Sequence, residues 1–144
     1  MSVIKNIKRE LIRNISAIDS INKVYGFEKL NPDGFPAAFI TFNGMANEFF
    51  TNAENKRVYT YRVLLLVPIG QDNPTPDMME QAEQVIQDVT GDILDAMDSD
   101  ITLDGAGDVV FMEAAVGEPG YVQYEGGQAR SSEILLRVHS VYLV

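Results

Sequence analysis

The chain has 144 residues, of which 46% are apolar and 22% are charged, a composition typical of one soluble domain with its own hydrophobic core. It contains no cysteine, which excludes a disulfide framework, a thiolate metal site and a cysteine nucleophile. The formal net charge of -10 at pH 7 excludes nonspecific binding to nucleic acid or to an anionic membrane, because both require a basic surface.

The first 18 residues predict an amphipathic helix, because apolar residues recur at spacings of three and four, the period of one helical face. Ser2 stands before this stripe as a candidate N-cap. The stripe consists of Ile4, Ile7, Leu11, Ile15 and Ile18. The bases that fall off the stripe are Lys5, Lys8, Arg9 and Arg13.

We expect neither a secretory leader nor a membrane span. The N-terminal bases lie inside the helical pattern and do not precede an apolar run. The longest apolar run, 63–69, has seven residues, whereas a membrane helix needs about 20. These features predict a soluble protein that is made in the cytoplasm.

The next part of the chain is rich in strand-forming residues. Short strands are predicted at 21–27 and 35–42, followed by a turn at Asn43–Gly44 and another strand that begins at Glu48. The longest predicted strand in this region is 57–67, whose second half is apolar on both faces. That pattern is typical of a central strand that is covered on both sides.

A second helix is predicted from Pro76, which takes the first helical position after Thr75 as N-cap. The helical pattern runs to residues 96–98. Gly91 interrupts it at a cost of about 1 kcal/mol relative to alanine. The face opposite the apolar stripe carries Glu80, Glu83, Asp88, Asp92 and Asp95.

After this helix the pattern returns to strands. We predict a strand at 109–116, a long loop or hairpin at 117–128 and a final strand at 131–144. Because strands and helices do not alternate regularly, a doubly wound parallel fold is excluded. The sequence predicts one α+β domain over residues 1–144, with an antiparallel or mixed sheet and two amphipathic helices packed on it in two layers.

The negative charge is concentrated in one block. Residues 1–62 carry nine bases and six acids, whereas residues 63–129 carry fourteen acids and no base. Two interpretations remain open for the acidic block: a solvated face that gives solubility, or a surface that repels DNA or docks on a basic partner. The basic face of the first helix lacks interleaved aromatic residues, which favours water or an acidic neighbour over nucleic acid.

Only one residue, His139, invites a catalytic interpretation. A lone imidazole can act as a general base, but His139 has no sequence partner. We expect it to be a half-exposed strand residue. The sequence predicts no catalytic residue, no cofactor and no enzymatic activity.

The acidic connection after the second helix is the one candidate for a metal site. Calcium accepts several carboxylates from one loop, but the EF-hand pattern fails, because Leu103 occupies the glycine slot and Val109 the bidentate glutamate slot. We therefore predict no metal and keep calcium binding as an alternative. The candidate ligands are Asp98, Asp100, Asp104 and Asp108.

Two stretches of the chain match the pattern of a known family. Residues 32–40 (PDGFPAAFI) form a strand entry of the G-[FY]-P-A type, and Glu48 follows. Residues 55–63 (NKRVYTYRV) form a strand of the N-x-R-x-Y-x-[FY]-x-V type. With a short helix before them, and a loop, a helix and closing strands after them, the chain resembles the tail terminator (tail completion) proteins of long-tailed bacteriophages.

The resemblance implies an α+β subunit of the virion tail or neck that assembles with itself as a ring, usually a hexamer. Such a ring ends polymerisation of the tail tube and joins the tail to the head connector, and DNA passes through its lumen as cargo. Its partners are the tube protein, the head–tail connector protein and, in a contractile tail, the sheath, with no membrane partner. The candidate interface residues are Lys5, Arg9, Arg13, Phe49, Phe50, Lys56, Arg57, Tyr121, Tyr124 and Arg130.

Other interpretations remain open. The chain is alternatively a small metal- or ligand-binding module that uses residues 98–108, or another neck or tube subunit of the same particle. If copies join through strands, 131–144 is a candidate edge strand, because an unpaired edge templates another strand.

Overall fold

The computed structural model forms two helices and six strands within the residues it describes. These residues are 2–29, 31–49, 54–70, 75–103, 109–117, 119–124 and 127–143. In chain order the elements are α1 (Val3–Ser16), β1 (Lys23–Tyr25), β2 (Ala37–Phe49), β3 (Glu54–Gly70), α2 (Pro76–Ser99), β4 (Val109–Val116), β5 (Gly120–Tyr124) and β6 (Gly127–Leu143).

The six strands form one mixed sheet in the order β1-β2-β3-β6-β4, with β5 also paired to β6. β1 pairs with β2 in parallel, and the other neighbours are antiparallel. β4 and β5 lie one after the other along the same side of β6. The predicted α+β fold with helices packed on a sheet is confirmed.

Both helices pack on one face of the sheet, which we call the helix face. α1 contacts β1 and β2, while α2 contacts β3, β6 and β4. The apolar stripes predicted from the sequence point into this layer, where full burial of a large aliphatic side chain contributes about 1.5–3 kcal/mol. The buried residues of the stripes are Ile7, Leu11 and Ile15 on α1 and Ala82, Ile86, Val89, Ile93 and Met97 on α2.

Both predicted helix starts are confirmed. The hydroxyl of Ser2 accepts a hydrogen bond from the backbone N–H of Lys5 at 3.4 Å, and Thr75 does the same for Met78 at 3.3 Å. Each cap satisfies one of the N–H groups that have no partner within the helix. Among the described residues, neither helix has the length and apolar content needed to cross a bilayer.

The opposite face of the sheet carries a smaller apolar cluster beneath the β5–β6 hairpin. Phe39 stacks on Tyr25 with ring centroids 5.5 Å apart, and Leu66 packs in the same cluster. Because its neighbour Leu65 is buried on the helix face, this part of β3 is covered on both sides. The sequence prediction of a doubly covered central strand is confirmed.

The predicted turn at Asn43–Gly44 is wrong. β2 runs through it as one strand to Phe49, and its register against β3 shifts between Phe42 and Met45. Gly44 has φ of +119°, a conformation that side chains disfavour, and it absorbs the extra residue of a bulge. The same Asn-Gly pair that commonly closes a hairpin therefore bends a long strand here.

The predicted edge strand at the end of the chain is also wrong. β6 begins at Gly127 and lies inside the sheet, between β3 on one side and β4 and β5 on the other. Of the two predictions for 117–128, the hairpin is confirmed by the pairing of β5 with β6. Among the described residues, the longest stretches without a strand partner on one side belong to β2 and β4.

Candidate assembly surfaces

The first unpaired edge of the sheet is the outer side of β4. No described strand pairs with it. Val110 and Val116 are 49% and 51% exposed, and the strand contains neither lysine nor proline. Natural edge strands are protected against pairing with another chain by such residues, by other charges or by bulges. In β4 the register shift lies between Val109 and Phe111, so the regular part after it, 111–116, with Glu113 as its one charged residue, is the part that can accept a further strand.

The hydrogen-bond register of β4 identifies which of its amides face outward. The N–H of Gly117 donates to the carbonyl of Glu133 at 2.7 Å, which makes that pair a hydrogen-bonded one. Bonded and non-bonded pairs alternate along an antiparallel ladder, so the pair of Val116 with Ile134 is non-bonded. Ala114 and Leu136 form the next non-bonded pair, two residues before Val116. The N–H groups of a non-bonded pair point away from each other, so the N–H of Ala114 points to the unpaired side of β4.

The second unpaired edge is the outer side of β2. β1 covers only Ala37–Phe39 of this strand, and no described strand pairs with the outer side of its remainder, residues 40–49. Phe42 and Met45 are 41% and 44% exposed. Residues 40–49 also lack lysine and proline, although the bulge interrupts them.

A groove of about 340 Å³ runs beside the β4 edge, between α2 and the β4–β5 segment. Leu94 of α2, Val116 at the end of β4 and Pro119 line it. The groove also has polar walls, which include Thr90 and Ser132, and it lies next to the outward-pointing backbone amides, where a strand or a hairpin from another chain can pair.

The two helices present opposite charges to solvent. α1 carries four bases and one acid, and α2 carries seven acids and no base. Lys5, Arg9 and Arg13 are exposed. The acids of α2 are Asp77, Glu80, Glu83, Asp88, Asp92, Asp95 and Asp98. Because α1 lies towards the β2 edge and α2 towards the β4 edge, the charge of this layer is polarised across the sheet.

Two of the sequence candidates, Tyr121 and Arg130, come together at the β5–β6 hairpin. The guanidinium of Arg130 lies 4.9 Å from the centre of the Tyr121 ring. It donates to the carboxylate of Glu83 at 2.7 Å and to the carbonyl of Gly120 at 2.9 Å. Arg130 thus joins the hairpin to α2, while Tyr121 remains 60% exposed.

The remaining candidates lie elsewhere. Tyr124 packs on Phe35 with ring centroids 5.1 Å apart, so it belongs to the smaller apolar cluster. Arg57 donates to the side chain of Asn47 at 3.2 Å, and Lys56 lies 5.5 Å from the centre of the Phe111 ring. Phe50 lies outside the described residues, as does the side chain of Phe49. The sequence candidates therefore fall into three separate groups, on α1, on the β2–β3 end and on the hairpin.

His139 is buried, with 4% exposure, and the expectation of a half-exposed residue is wrong. The Phe111 ring stacks on the imidazole at a centroid distance of 4.1 Å, and Nε2 pairs with the Glu113 carboxylate at 2.5 Å. Nδ1 has no hydrogen-bond partner among the residues that the structure describes. The pairing of β4 with β6 covers this residue, since it brings Phe111 opposite it.

Sequence reasoning missed an ion-pair network on the sheet face opposite the helices. Arg62 of β3 donates to Glu133 of β6 at 2.6 Å and to Glu28 at 2.7 Å. The hydrogen bond to Glu133, together with the charges of both acids, raises the pKa of Arg62 above its ordinary value. No spacing in the chain reveals this network, because its members are 34 and 71 residues apart.

The candidate metal ligands are only partly described. Asp104 and Asp108 lie outside the described residues. The carboxylate of Asp100 accepts a hydrogen bond from Asn14 at 3.0 Å and lies 3.9 Å from the guanidinium of Arg13, while Asp98 is exposed. Within the described part of the chain, no three acidic or histidine side chains are grouped to hold a metal ion.

The chain matches no model of a known protein family and no curated protein sequence.

Proposed function

We propose that this chain is a ring-forming structural subunit of a bacteriophage tail, of the tail terminator type, in which each copy joins the next through the two unpaired edges of its sheet. The ring ends polymerisation of the tail tube and joins the tail to the head connector. Its partners are further copies of itself, the tube protein and the connector protein, and DNA passes through its lumen as cargo.

The observation that carries this proposal is the direction of the two edge strands. β2 and β6 run the same way, because both are antiparallel to β3, and β4 runs the opposite way. A second copy that continues the sheet without turning over therefore sets its β4 antiparallel to β2 of the first copy. The free lengths are compatible, since residues 40–49 face residues 109–116.

Such a contact joins two different surfaces, and a pair of joined copies keeps one unused edge of each kind. Repetition of a head-to-tail contact produces a closed ring when the rotation between copies closes, and a filament when it does not. The ring form agrees with the family that residues 32–63 resemble. The net charge of -10 agrees with DNA as cargo, because an acidic surface does not adhere to a phosphate backbone.

The test uses two variants at one position of the β4 edge. Ala114→Pro removes the outward-pointing N–H without removing a hydrogen bond to β6, and Ala114→Ser keeps that N–H. Light scattering after size-exclusion chromatography, over a series of concentrations, is expected to give oligomers for the wild type and for Ala114→Ser. Ala114→Pro is expected to remain monomeric, with a circular dichroism spectrum like that of the wild type.

Two results would contradict the proposal. One is a wild-type chain that stays monomeric at every concentration. The other is a folded Ala114→Pro variant that assembles as well as Ala114→Ser does, because the β4 edge would then take no part in the contact.

A further inference from the structure

We infer that the basic face of α1, formed by Lys5, Arg9 and Arg13, docks on the acidic face of α2 in the next copy of the chain. This inference rests on the proposed function, since it requires copies to be joined head to tail. It goes further by naming the side chains that select the partner and fix its orientation.

α2 carries more negative charge than the chain itself neutralises. It holds seven acids and no base. Among the described residues, only Glu83 of these seven forms an ion pair, with Arg130. Five of the six intervals between successive acids are three or four residues, so that these neighbours repel one another. Asp95 and Asp98 also lie near the C-terminus, where the helix dipole is already negative.

α1 carries positive charge, which is complementary to the negative charge of α2. Lys5 and Arg9 are four residues apart and exposed, so they project from the same side of the helix. Arg13 forms an ion pair with Glu10 at 2.8 Å and lies 3.9 Å from Asp100, just beyond the end of α2. That contact joins α1 to the end of α2 within one copy of the chain.

The two helices lie over different parts of the sheet. α1 contacts β1 and β2 at one end of the sheet, and α2 contacts β3, β6 and β4 towards the other. When β4 of one copy continues the sheet beside β2 of another, both helix layers lie on the same face. The basic helix of the first copy then stands next to the acidic helix of the second. Opposite charges placed in this way favour the head-to-tail contact and disfavour a contact between two like edges.

The test reverses the charge of each helix separately. Variant A is Lys5→Glu with Arg9→Glu, and variant B is Asp88→Lys with Asp95→Lys. All four side chains are exposed, so both variants are expected to fold. At the substituted positions of a head-to-tail contact, A sets acid against acid and B sets base against base, and each alone is expected to assemble at least about tenfold more weakly than the wild type.

Mixing the variants restores complementarity at both contacts. In an equimolar mixture, α1 of A meets α2 of B, and α1 of B meets α2 of A, so that the substituted positions again face opposite charges. Assembly is expected to return to the wild-type level. A single chain with all four substitutions is expected to assemble as well.

A charge control separates the contact from the overall charge. Lys23→Glu with Asn31→Asp and Gln123→Glu adds as much negative charge as variant A, at exposed positions outside both helices. This control is expected to assemble like the wild type, as measured by light scattering under the same conditions.

The outcomes distinguish the inference from the function on which it rests. If the wild type assembles and A and B assemble equally well, the helix contact is overturned while the ring proposal stands. Loss of assembly in B alone also overturns it, because the acidic face would then serve a partner other than α1. Failure of the equimolar mixture to assemble also overturns the contact between α1 and α2. A wild-type chain that is monomeric throughout overturns both proposals.

Discussion

The phenol of Tyr61, in the middle of the sheet, donates a hydrogen bond of 2.7 Å to the backbone carbonyl of Ile4 in the first turn of α1. The Tyr61 ring is fully buried, and this burial raises the pKa of its hydroxyl far above the ordinary value. The hydroxyl therefore stays protonated and keeps donating throughout the range in which the protein is handled. This contact ties the basic helix to the central strand β3.

Tyr61→Phe is expected to lower the free energy of unfolding by about 1 kcal/mol, the usual net worth of a buried hydrogen bond. The loss is modest because the ring still fills its site. Urea denaturation measures it, with Tyr121→Phe, at an exposed position, as the control that changes nothing. An unchanged unfolding midpoint for Tyr61→Phe would mean that the hydroxyl contributes no net stability.

Gly91→Ala is expected to stabilise the protein by about 0.5–1 kcal/mol, because glycine inside a helix costs conformational entropy. A Cβ at Gly91 meets nothing within 4 Å. Gly44→Ala is the matched comparison, since its added Cβ also has space, but its φ of +119° makes the substitution strained. Thermal unfolding is expected to shift upward for Gly91→Ala and downward for Gly44→Ala. Shifts of the same sign would refute this explanation.

The carboxyl of Glu83 connects stability to pH. Its hydrogen bonds from Arg130 and from Gln87 hold the pKa of Glu83 below the ordinary value of 4.5. A lowered pKa means that the folded state favours the charged form of Glu83. The charged carboxylate therefore contributes its full stabilisation of the folded state above pH 4.5, and this stabilisation is lost as the pH falls through the lowered pKa. Glu83→Gln removes this dependence.

The melting temperatures of the wild type and of Glu83→Gln are therefore expected to converge as the solution is acidified below the ordinary glutamate value. Above it, the wild type is expected to melt at the higher temperature. Glu80→Gln, an exposed change on the same helix, serves as the control. A constant difference between wild type and Glu83→Gln across the acid range would exclude the linkage.

His139→Phe is expected to leave the free energy of unfolding within about 1 kcal/mol of the wild type, or to raise it. The substitution keeps a ring against Phe111 and removes the buried Nδ1, which has no partner in the described part of the chain. The half-exposed Glu113 regains water. His139→Ala, which leaves a cavity, is expected to cost about 2–4 kcal/mol. A cost for His139→Phe equal to that for His139→Ala would show that the imidazole's polar contact with Glu113 matters more than its packing.

Local signals in the sequence identified the helices and most of the strands. The hydroxyls of Ser2 and Thr75 and the spacing of the apolar stripes depend only on neighbours a few residues away. The bulge at Gly44 was missed, because an Asn-Gly pair suits either a turn or a bulge, and the pairing of β2 with β3 decides between them.

The edges of the sheet and the buried imidazole required the whole fold. Residues 131–144 look like any long strand, and nothing local reveals that β4 and β5 cover their outer side. The pair of His139 with Glu113 depends on the pairing of β4 with β6, which sets Phe111 opposite His139. The opposite charges of α1 and α2 can be counted in the sequence. Their positions, with α1 towards the β2 edge and α2 towards the β4 edge of one sheet, cannot be predicted from it.

The most direct test of the head-to-tail ring is to image the wild-type chain by negative-stain electron microscopy. The account predicts closed rings of uniform size, with a central lumen wide enough for a DNA duplex and a single rotational symmetry. Isolated monomers at every concentration, or open filaments without a closed form, would contradict it.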